Sequence, residues 1–211
     1  MVATPHMSDL YAECHKVGGM TAHYRLHDPQ RLAFVAARYL FVAKMLAGVH
    51  DVLEIGCADG YFSPIVRQHV GKLTAIDTDA QSIGQAQAAN SPRWPIHFEC
   101  ADFMRWERHH IAAYCLDVLE HVEPEKEHEF LERLWRRSTG GMVVIGTPSL
   151  ASQAYASELS RAGHVNCKGG AALMESFGRV WKKVFPFSMT DTAFYPGFSP
   201  MARYYLAVCT S

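Results

Sequence analysis

The sequence predicts an α/β protein built around a mostly parallel β-sheet. Short apolar runs rich in β-branched residues alternate with helical patterns between residues 52 and 145, which is typical of successive βα units. Two later apolar runs have no helix between them, which indicates an antiparallel pair at one edge of the sheet. With 211 residues, 49% of them hydrophobic, the chain can bury one sizeable core.

The first predicted element is a helix that covers the sheet. It begins at Asp28 and Pro29, because an aspartate caps a helix and a proline suits its first turn, and apolar residues recur at helical spacing as far as Leu46. A seven-stranded sheet follows, with strands at residues 52–55, 73–76, 96–98, 112–116, 142–145, 180–187 and 203–209. Intervening helices are predicted at residues 82–90 and 124–137.

The domain organisation follows from this order of elements. We expect a single domain over residues 29–211. Residues 1–28 form a separate N-terminal segment, which we interpret as a lid over a ligand or, alternatively, as a polar tail. The side chains that would form such a lid are Tyr11, His15, Tyr24, Arg25 and His27.

Charge and cysteine usage narrow the class of partner and the compartment. Twenty Lys and Arg against 21 Asp and Glu give a net charge of −1, so no global charge favours nucleic acid or an anionic membrane. We therefore expect a small-molecule partner. The six cysteines include no C-x-x-C pair, and the sequence shows neither a membrane-spanning run nor a signal-peptide core, so we expect a cytoplasmic protein.

The turn after the first predicted strand is the first candidate binding element. Glycines there let a ligand approach the backbone, and the following helix N-terminus offers free N–H groups. Such a turn also occurs in any tight connection between a strand and a helix. The candidate cofactor-binding residues of this turn are Glu54, Gly56, Cys57, Ala58, Asp59 and Gly60.

Two further acids follow the second and third predicted strands. Asp77 is placed where a carboxylate can accept hydrogen bonds from both ribose hydroxyls. Asp102 is placed where it could accept from an adenine amine while Phe103 packs on the ring. Each acid alone could be an ordinary helix cap. Because ligands of open α/β sheets collect at the carboxyl ends of the strands, the acids together predict a nucleoside site.

A third group of polar residues follows the fourth strand. If the chain turns helically there, Asp117, Glu120 and His121 point the same way, and His164 belongs to a connection over the same rim. Such a set of oxygen and nitrogen ligands could bind Mg²⁺, Mn²⁺, Fe²⁺ or Zn²⁺. Alternatively, no metal is bound, and His121 or His164 acts as the catalytic general base.

These motifs together resemble those of the class I methyltransferases that depend on S-adenosylmethionine (SAM) and have a Rossmann-like fold. Residues 52–60 look like their first motif, residues 75–77 like the ribose-binding acid, residues 100–102 like the adenine-contacting acid, and residues 117–122 like the fourth-strand motif. The resemblance implies that SAM is the cofactor and that Asp117 also borders its site. The sequence departs from the pattern at Ala58, where many members carry a second glycine.

The acid-x-x-Glu-His cluster is similar to that of two branches of this class, the ubiquinone-pathway O-methyltransferases and the small-RNA 2′-O-methyltransferases. The similarity implies Mg²⁺ or a related ion on Asp117, Glu120, His121 and His164. The segment Leu-Glu-His-Val also occurs in methyltransferases that are not known to use metal.

Three functions are compatible with these motifs. The first is methyl transfer to a hydroxyl or amine of a metabolite or natural-product intermediate, with or without a divalent metal. The second is 2′-O-methylation of an RNA terminus, and the third is a non-catalytic SAM-binding partner subunit. Substrate choice is expected in the aromatic segment 187–201, unless that segment only packs as a hairpin connection.

Overall fold

Eight strands form one sheet in the computed structural model, which describes residues 17–211. The strands are β1 (Asp51–Ile55), β2 (Lys72–Asp77), β3 (His97–Cys100), β4 (His110–Leu116), β5 (Ser138–Pro148), β6 (Lys183–Met189), β7 (Phe194–Pro196) and β8 (Tyr204–Thr210). Their order is β3-β2-β1-β4-β5-β8-β6-β7. Strands β1 to β5 are parallel, whereas β8, β6 and β7 pair antiparallel, so the predicted fold class is confirmed.

The sheet differs from the predicted seven strands by one short addition. Strand β7 pairs with β6, with Phe187 opposite Pro196 and Met189 opposite Phe194. The chain after β6 therefore turns back as a hairpin, and the aromatic residues of this segment suit a strand. The sequence pattern had indicated only a loop there.

Helices cover both faces of the sheet. They are α1 (Gly19–His27), α2 (Pro29–Met45), α3 (Ser63–Arg67), α4 (Ala80–Ala88), α5 (Glu127–Arg137), α6 (Glu158–Gly163) and α7 (Gly170–Gly178). Asp28 caps α2 as predicted, accepting from the Arg31 backbone N–H at 3.3 Å. Helix α4 begins two residues before the predicted start, because Asp79 accepts from the N–H groups of Gln81 and Ser82.

The core lies in two layers that hold these helices on the sheet. On one face, Val42, Ala43 and Leu46 of the α2 region are fully buried. On the other face, Leu131 and Leu134 of α5 are buried in the second layer. Within residues 17–211, no helix has the length and apolar character needed to cross a bilayer.

Candidate functional site

A cavity of about 750 Å³ lies at the carboxyl ends of the parallel strands. Its walls are the connections that follow β1, β2, β3 and β4, together with α1 and the start of α2. This is the edge at which open α/β sheets bind ligands, and the volume is in the range of small-molecule pockets. The predicted site residues that line it are Gly56, Cys57, Ala58, Asp59, Asp77, Asp102, Phe103, Asp117, Glu120, His121 and His164.

The turn after β1 is held close to the neighbouring strand ends. The backbone N–H groups of Gly56 and Cys57 donate to the Ile76 carbonyl at 2.8 and 3.2 Å. Gly56 has φ +79°, and a Cβ there would overlap the Val118 side chain. Ala58 also has a positive φ of 49°, which is uncommon for a residue other than glycine. The turn therefore requires glycine at position 56 and tolerates alanine at position 58.

The two predicted nucleoside acids are fixed at the cavity wall by backbone donors. Asp77 accepts from the N–H of Ala58 at 2.8 Å and from the N–H of Asp79 at 2.9 Å. Asp102 accepts from the Met104 N–H at 2.8 Å and so caps a short 3₁₀ turn. Both carboxylates keep further acceptor positions open, as recognition of a nucleoside requires. The Asp77 carboxylate also holds the turn after β1, since Ala58 is its donor.

The Phe103 ring has a mainly structural position. It is 4% exposed, and its centroid lies 5.2 Å from that of Phe130 in an edge-to-face contact. Only a small part of the ring borders the cavity. Only the exposed edge of the Phe103 ring could therefore make the predicted contact with a nucleobase.

Two other residues of the turn have positions that differ from the predicted ligand contacts. Glu54 and Gly60 do not line the cavity. Glu54 is buried, accepts from the Tyr39 hydroxyl at 2.8 Å, and has a pKa raised by burial. Gly60 lies against Phe98, because a Cβ there would come within 2.7 Å of its ring.

Asp59 lines the cavity, but its carboxylate is occupied by the N-terminal helix. Both the backbone N–H and the hydroxyl of Thr21 donate to it at 3.1 Å. Asp59 therefore fastens α1 to the turn after β1. Helix α1 in turn contributes Met20, Thr21 and Tyr24 to the cavity wall.

Glu120 lies at the opposite end of the cavity and is fully buried. One carboxylate oxygen, Oε2, accepts from the Thr147 hydroxyl at 3.1 Å, and the other, Oε1, has no hydrogen-bond partner among the described residues. Burial, and after it the negative charge of Asp117, raises the pKa of Glu120 to about 8. A buried carboxylate oxygen without a donor is costly, so this position suits a cation or a donor group of a ligand.

His121 and His164 lie beside Glu120 with their rings 5.0 Å apart. Nδ1 of His121 donates to the Gly163 carbonyl at 2.9 Å, and Nδ1 of His164 donates to the Gln153 side-chain oxygen at 2.9 Å. These acceptors leave Nε2 of each neutral ring with a free lone pair. Burial and the adjacent His121 lower the pKa of His164, which keeps that ring neutral near pH 7.

Glu120, His121 and His164 can offer ligand atoms that all lie within 4.8 Å of one another. Asp117, which the sequence pattern placed in the same set, is not among them. Its Oδ2 accepts from Arg38 Nη1 at 2.6 Å in an ion pair. The structure thus brings together three of the four predicted ligands.

Arg38 and Tyr204 hold Asp117 away from the other three ligands. The guanidinium of Arg38 lies 3.6 Å from the centroid of the Tyr204 ring, and the hydroxyl of Tyr204 accepts from the Asp117 backbone N–H at 3.2 Å. Asp117 has φ +56°, so the chain does not continue helically from the strand as the spacing argument assumed. Sequence reasoning did not identify Arg38 as part of the site. Its position, a charged residue among the apolar positions of the helix that covers the sheet, could have indicated a buried ion pair.

Several predicted residues lie elsewhere. No residue of segment 187–201 lines the cavity. Its Phe187 and Phe194 rings pack on Phe41 of α2 instead, with centroids 5.0 and 4.9 Å away. Of the proposed lid residues, Tyr24 lines the cavity, Arg25 and His27 do not, and Tyr11 and His15 lie outside the described residues.

The comparisons with known proteins agree with this geometry. Residues 52–141 match the family model described as "Methyltransferase domain". Among curated proteins, none matches the chain. The domain match over residues 52–141 and the fold shared with solved methyltransferases support the resemblance of the sequence motifs to class I SAM-dependent methyltransferases. The comparisons do not distinguish a branch within that class.

Three solved methyltransferases illustrate the structural similarity. The magnesium protoporphyrin IX methyltransferase of Synechocystis PCC 6803, with bound SAM, is 18% identical with a TM-score of 0.63, covering 93% of this chain and 86% of that chain. The N-methyltransferase NodS of Bradyrhizobium japonicum WM9, with S-adenosyl-L-homocysteine (SAH), is 22% identical with a TM-score of 0.64, covering 89% and 91%. The plantazolicin methyltransferase BpumL, with SAH, is 14% identical with a TM-score of 0.69, covering 90% and 88%.

Proposed function

We propose that this protein transfers the methyl group of SAM to an oxygen or nitrogen of a small-molecule acceptor that binds beside His121 and His164. The observation that carries this proposal is that one cavity joins the strand-end acids Asp77 and Asp102 to the histidine pair. A cofactor site and an acceptor site must adjoin for direct transfer, since the reacting groups have to be aligned at close range. The cofactor and the acceptor must share a cavity of about 750 Å³, which favours a small acceptor over an RNA terminus.

The residues at the β1–β3 end fit the cofactor. Gly56 leaves a cradle that a side chain would fill, and the carboxylates of Asp77 and Asp102 face the same space. Bound SAM would supply a methyl group on a positively charged sulfur, so the protein mainly supplies position. Helix α1, fastened through Thr21 to Asp59, would act as the lid that separates the cofactor from water.

The histidine pair would handle the acceptor's proton. His164 is kept neutral by burial and by His121, and its Nε2 lone pair can accept a proton from a hydroxyl or ammonium group. Gln153 keeps the ring in the tautomer that this role needs. The pair therefore fits deprotonation of either an alcohol or an amine.

A divalent cation fits the same three side chains as the alternative to proton transfer by the histidine pair, because an imidazole nitrogen that binds a metal cannot accept a proton. Glu120 offers an oxygen without a donor, and His121 and His164 each offer an Nε2 lone pair fixed by a hydrogen bond at Nδ1. Such outer hydrogen bonds orient metal-binding histidines. When bound, the ion would lower the pKa of an acceptor hydroxyl. Two imidazoles and one carboxylate suit Mn²⁺, Fe²⁺ or Zn²⁺ better than Mg²⁺, which prefers oxygen ligands.

The cofactor proposal is tested by the affinity for SAH. The wild-type protein is expected to bind SAH, and Asp77→Ala should weaken binding at least about tenfold, because two charge-assisted hydrogen bonds are lost. Isothermal titration calorimetry measures both affinities. The matched control is Asp79→Ala, which removes a neighbouring helix cap that does not line the cavity. Equal affinities of wild type and Asp77→Ala, or no SAH binding by either, would contradict the proposal.

The metal proposal is tested with cobalt(II), whose visible absorption depends on its ligands. Adding Co²⁺ to the protein is expected to produce the spectrum of a nitrogen-and-oxygen site, because His121 and His164 are both available. His164→Ala removes a direct ligand and should weaken Co²⁺ binding by at least about one to two orders of magnitude, the loss that removal of an outer-shell partner already causes. The control is His128→Ala, since the His128 side chain is 58% exposed on α5. A spectrum that survives in His164→Ala, or that never forms, removes the metal from the proposal.

A further inference from the structure

The connection between α6 and α7, residues 164–169, carries His164 to the cavity. Its apolar residue Val165 is 46% exposed, and Asn166 is the only residue of the connection that is buried. Apolar packing therefore contributes little to holding this part of the chain in place. The position of His164 depends instead on the polar contacts that the connection makes.

Asn166 ties the connection to two other parts of the molecule. Its backbone N–H donates to the carbonyl of Glu120 at 3.0 Å. Its side-chain Nδ2 donates to Oε2 of Glu127. Glu120 is also the residue whose side chain meets those of His121 and His164. A residue two positions after His164 is thus bonded directly to the backbone of the cluster that His164 completes.

Glu127 receives both of its charged and amide donors from this one connection. It lies in the first turn of α5 and is 4% exposed, and its Oε1 accepts from Lys168 Nζ at 2.6 Å. Burial raises the pKa of Glu127, but hydrogen bonds from Lys168, Ser176 and Asn166 outweigh burial and hold the pKa below its usual range. Because a buried carboxylate without donors is costly, Glu127 opposes any displacement of Asn166 and Lys168.

We propose that Glu127 is a positioning residue for the histidine pair: by holding Asn166, it keeps His164 beside His121. This inference rests on the proposed function, because it concerns the histidines assigned to the methyl acceptor. Glu127 does not line the cavity, so it acts through the connection that it fastens. Functional side chains have to be held within about 0.5 Å of their working geometry, which a connection with one buried residue needs a fixed point to achieve.

A reciprocal exchange of the two side chains tests the proposal, because aspartate matches asparagine in shape and glutamine matches glutamate. Asn166→Asp places two carboxylates against each other and should release the connection. The double variant Glu127→Gln/Asn166→Asp restores one donor and one acceptor in reversed order. The measurement is the nuclear Overhauser effect (NOE) between carbon-bound ring protons of His121 and His164 in metal-free protein. Wild type is expected to show this NOE, Asn166→Asp to lose it, and the double variant to regain it.

Two further variants assign the NOE and control for the loss of charge. His121→Ala and His164→Ala identify the ring signals. Glu129→Gln removes an exposed carboxylate from the same turn of α5 and should leave the NOE unchanged. If Asn166→Asp does not fold, Asn166→Ala, which removes the donor without adding a charge, should lose the NOE in its place.

A merely structural role of Glu127 would lower the urea midpoint of these variants and leave the NOE in place. An NOE that persists in folded Asn166→Asp or Asn166→Ala, or that does not return in the double variant, would therefore overturn the inference. SAH affinity, measured in parallel, should be equal in wild type and all Asn166 variants, because Asp77 and Asp102 lie after other strands. If none of the proteins binds SAH while the NOE changes as expected, the proposed function fails and the positioning of His164 by Glu127 stands.

Discussion

Gly56→Ala is expected to abolish measurable SAH binding and to lower the free energy of unfolding by about 2–4 kcal/mol. The backbone of Gly56 has φ +79°, a region that costs other residues about 1–2 kcal/mol. In addition, the new Cβ would overlap the Val118 side chain, and the turn would have to move. Because this turn forms one wall of the cofactor end, its displacement should change binding more than stability. Calorimetry and urea denaturation measure the two effects.

The chain offers a matched control for the backbone part of this effect. Gly48 has φ +82°, but no atom lies within 4 Å of a Cβ built there. Gly48→Ala should therefore lose only the backbone contribution and keep full SAH affinity. Adding Val118→Ala to Gly56→Ala removes the overlap and should restore part of the SAH affinity. If Gly48→Ala and Gly56→Ala lose equal stability and both bind SAH normally, the cradle at Gly56 is not what shapes the site.

Arg38→Met is expected to lower the free energy of unfolding by about 2–4 kcal/mol, the second large effect. The Arg38 side chain is only 8% exposed, and it neutralises Asp117, which in turn lies near the buried Glu120. Breaking a buried ion pair from one side typically costs about 3–5 kcal/mol. The loss of unfolding free energy should be smaller in this protein, because the Asp117 side chain is 36% exposed and can be partly hydrated. Urea denaturation of the cofactor-free protein measures it.

A double-mutant cycle separates the charge effect from lost packing. Asp117→Asn keeps a hydrogen-bond acceptor for Arg38 and a residue type that tolerates the positive φ at this position. In the Asp117→Asn background, Arg38→Met should cost clearly less than it does in wild type. The surface control is Arg136→Met, because the Arg136 side chain is 65% exposed. Equal costs of Arg38→Met in both backgrounds would show that the ion pair is not the source of the stability.

The fold and the position of the two acids at the proposed cofactor end of the cavity could be predicted from local pattern alone. Strand and helix periods gave the order of elements, and the carboxyl ends of parallel strands necessarily share one edge of the sheet. For that reason Asp77 and Asp102, identified only by their place after apolar runs, both line the cavity. The prediction needed no knowledge of side-chain direction at those two positions.

The acceptor end could not be predicted from spacing, because contacts distant in sequence decide it. Asp117 was placed with Glu120 and His121 by assuming a regular helical turn. Its partner is instead Arg38, 79 residues earlier in the chain, and its positive φ breaks the regular turn. The neighbouring pair, Glu120 and His121, still meets His164, since these two lie together on one 3₁₀ turn.

The aromatic segment 187–201 shows a second limit of sequence patterns. Aromatic residues on a loop are equally compatible with the wall of a pocket and with packing on a nearby helix. Here Phe41 of α2 supplies the packing surface, so the segment supports the fold and not the cavity. Glu127 and Gln153 gave no signal, because a single polar residue at a helix start or in a loop is ordinary.

The insertion of β8 between β5 and β6 determines when the site can form during synthesis. Strands β1 to β5 can pair as they emerge from the ribosome, whereas the hairpin of β6 and β7 cannot join them until Tyr204–Thr210 has been made. That same strand carries Tyr204, which holds Asp117 and stacks on Arg38. A nascent chain can therefore assemble the turn after β1 early, while the part of the cavity around Asp117 stays incomplete until β8 has emerged and joined the sheet.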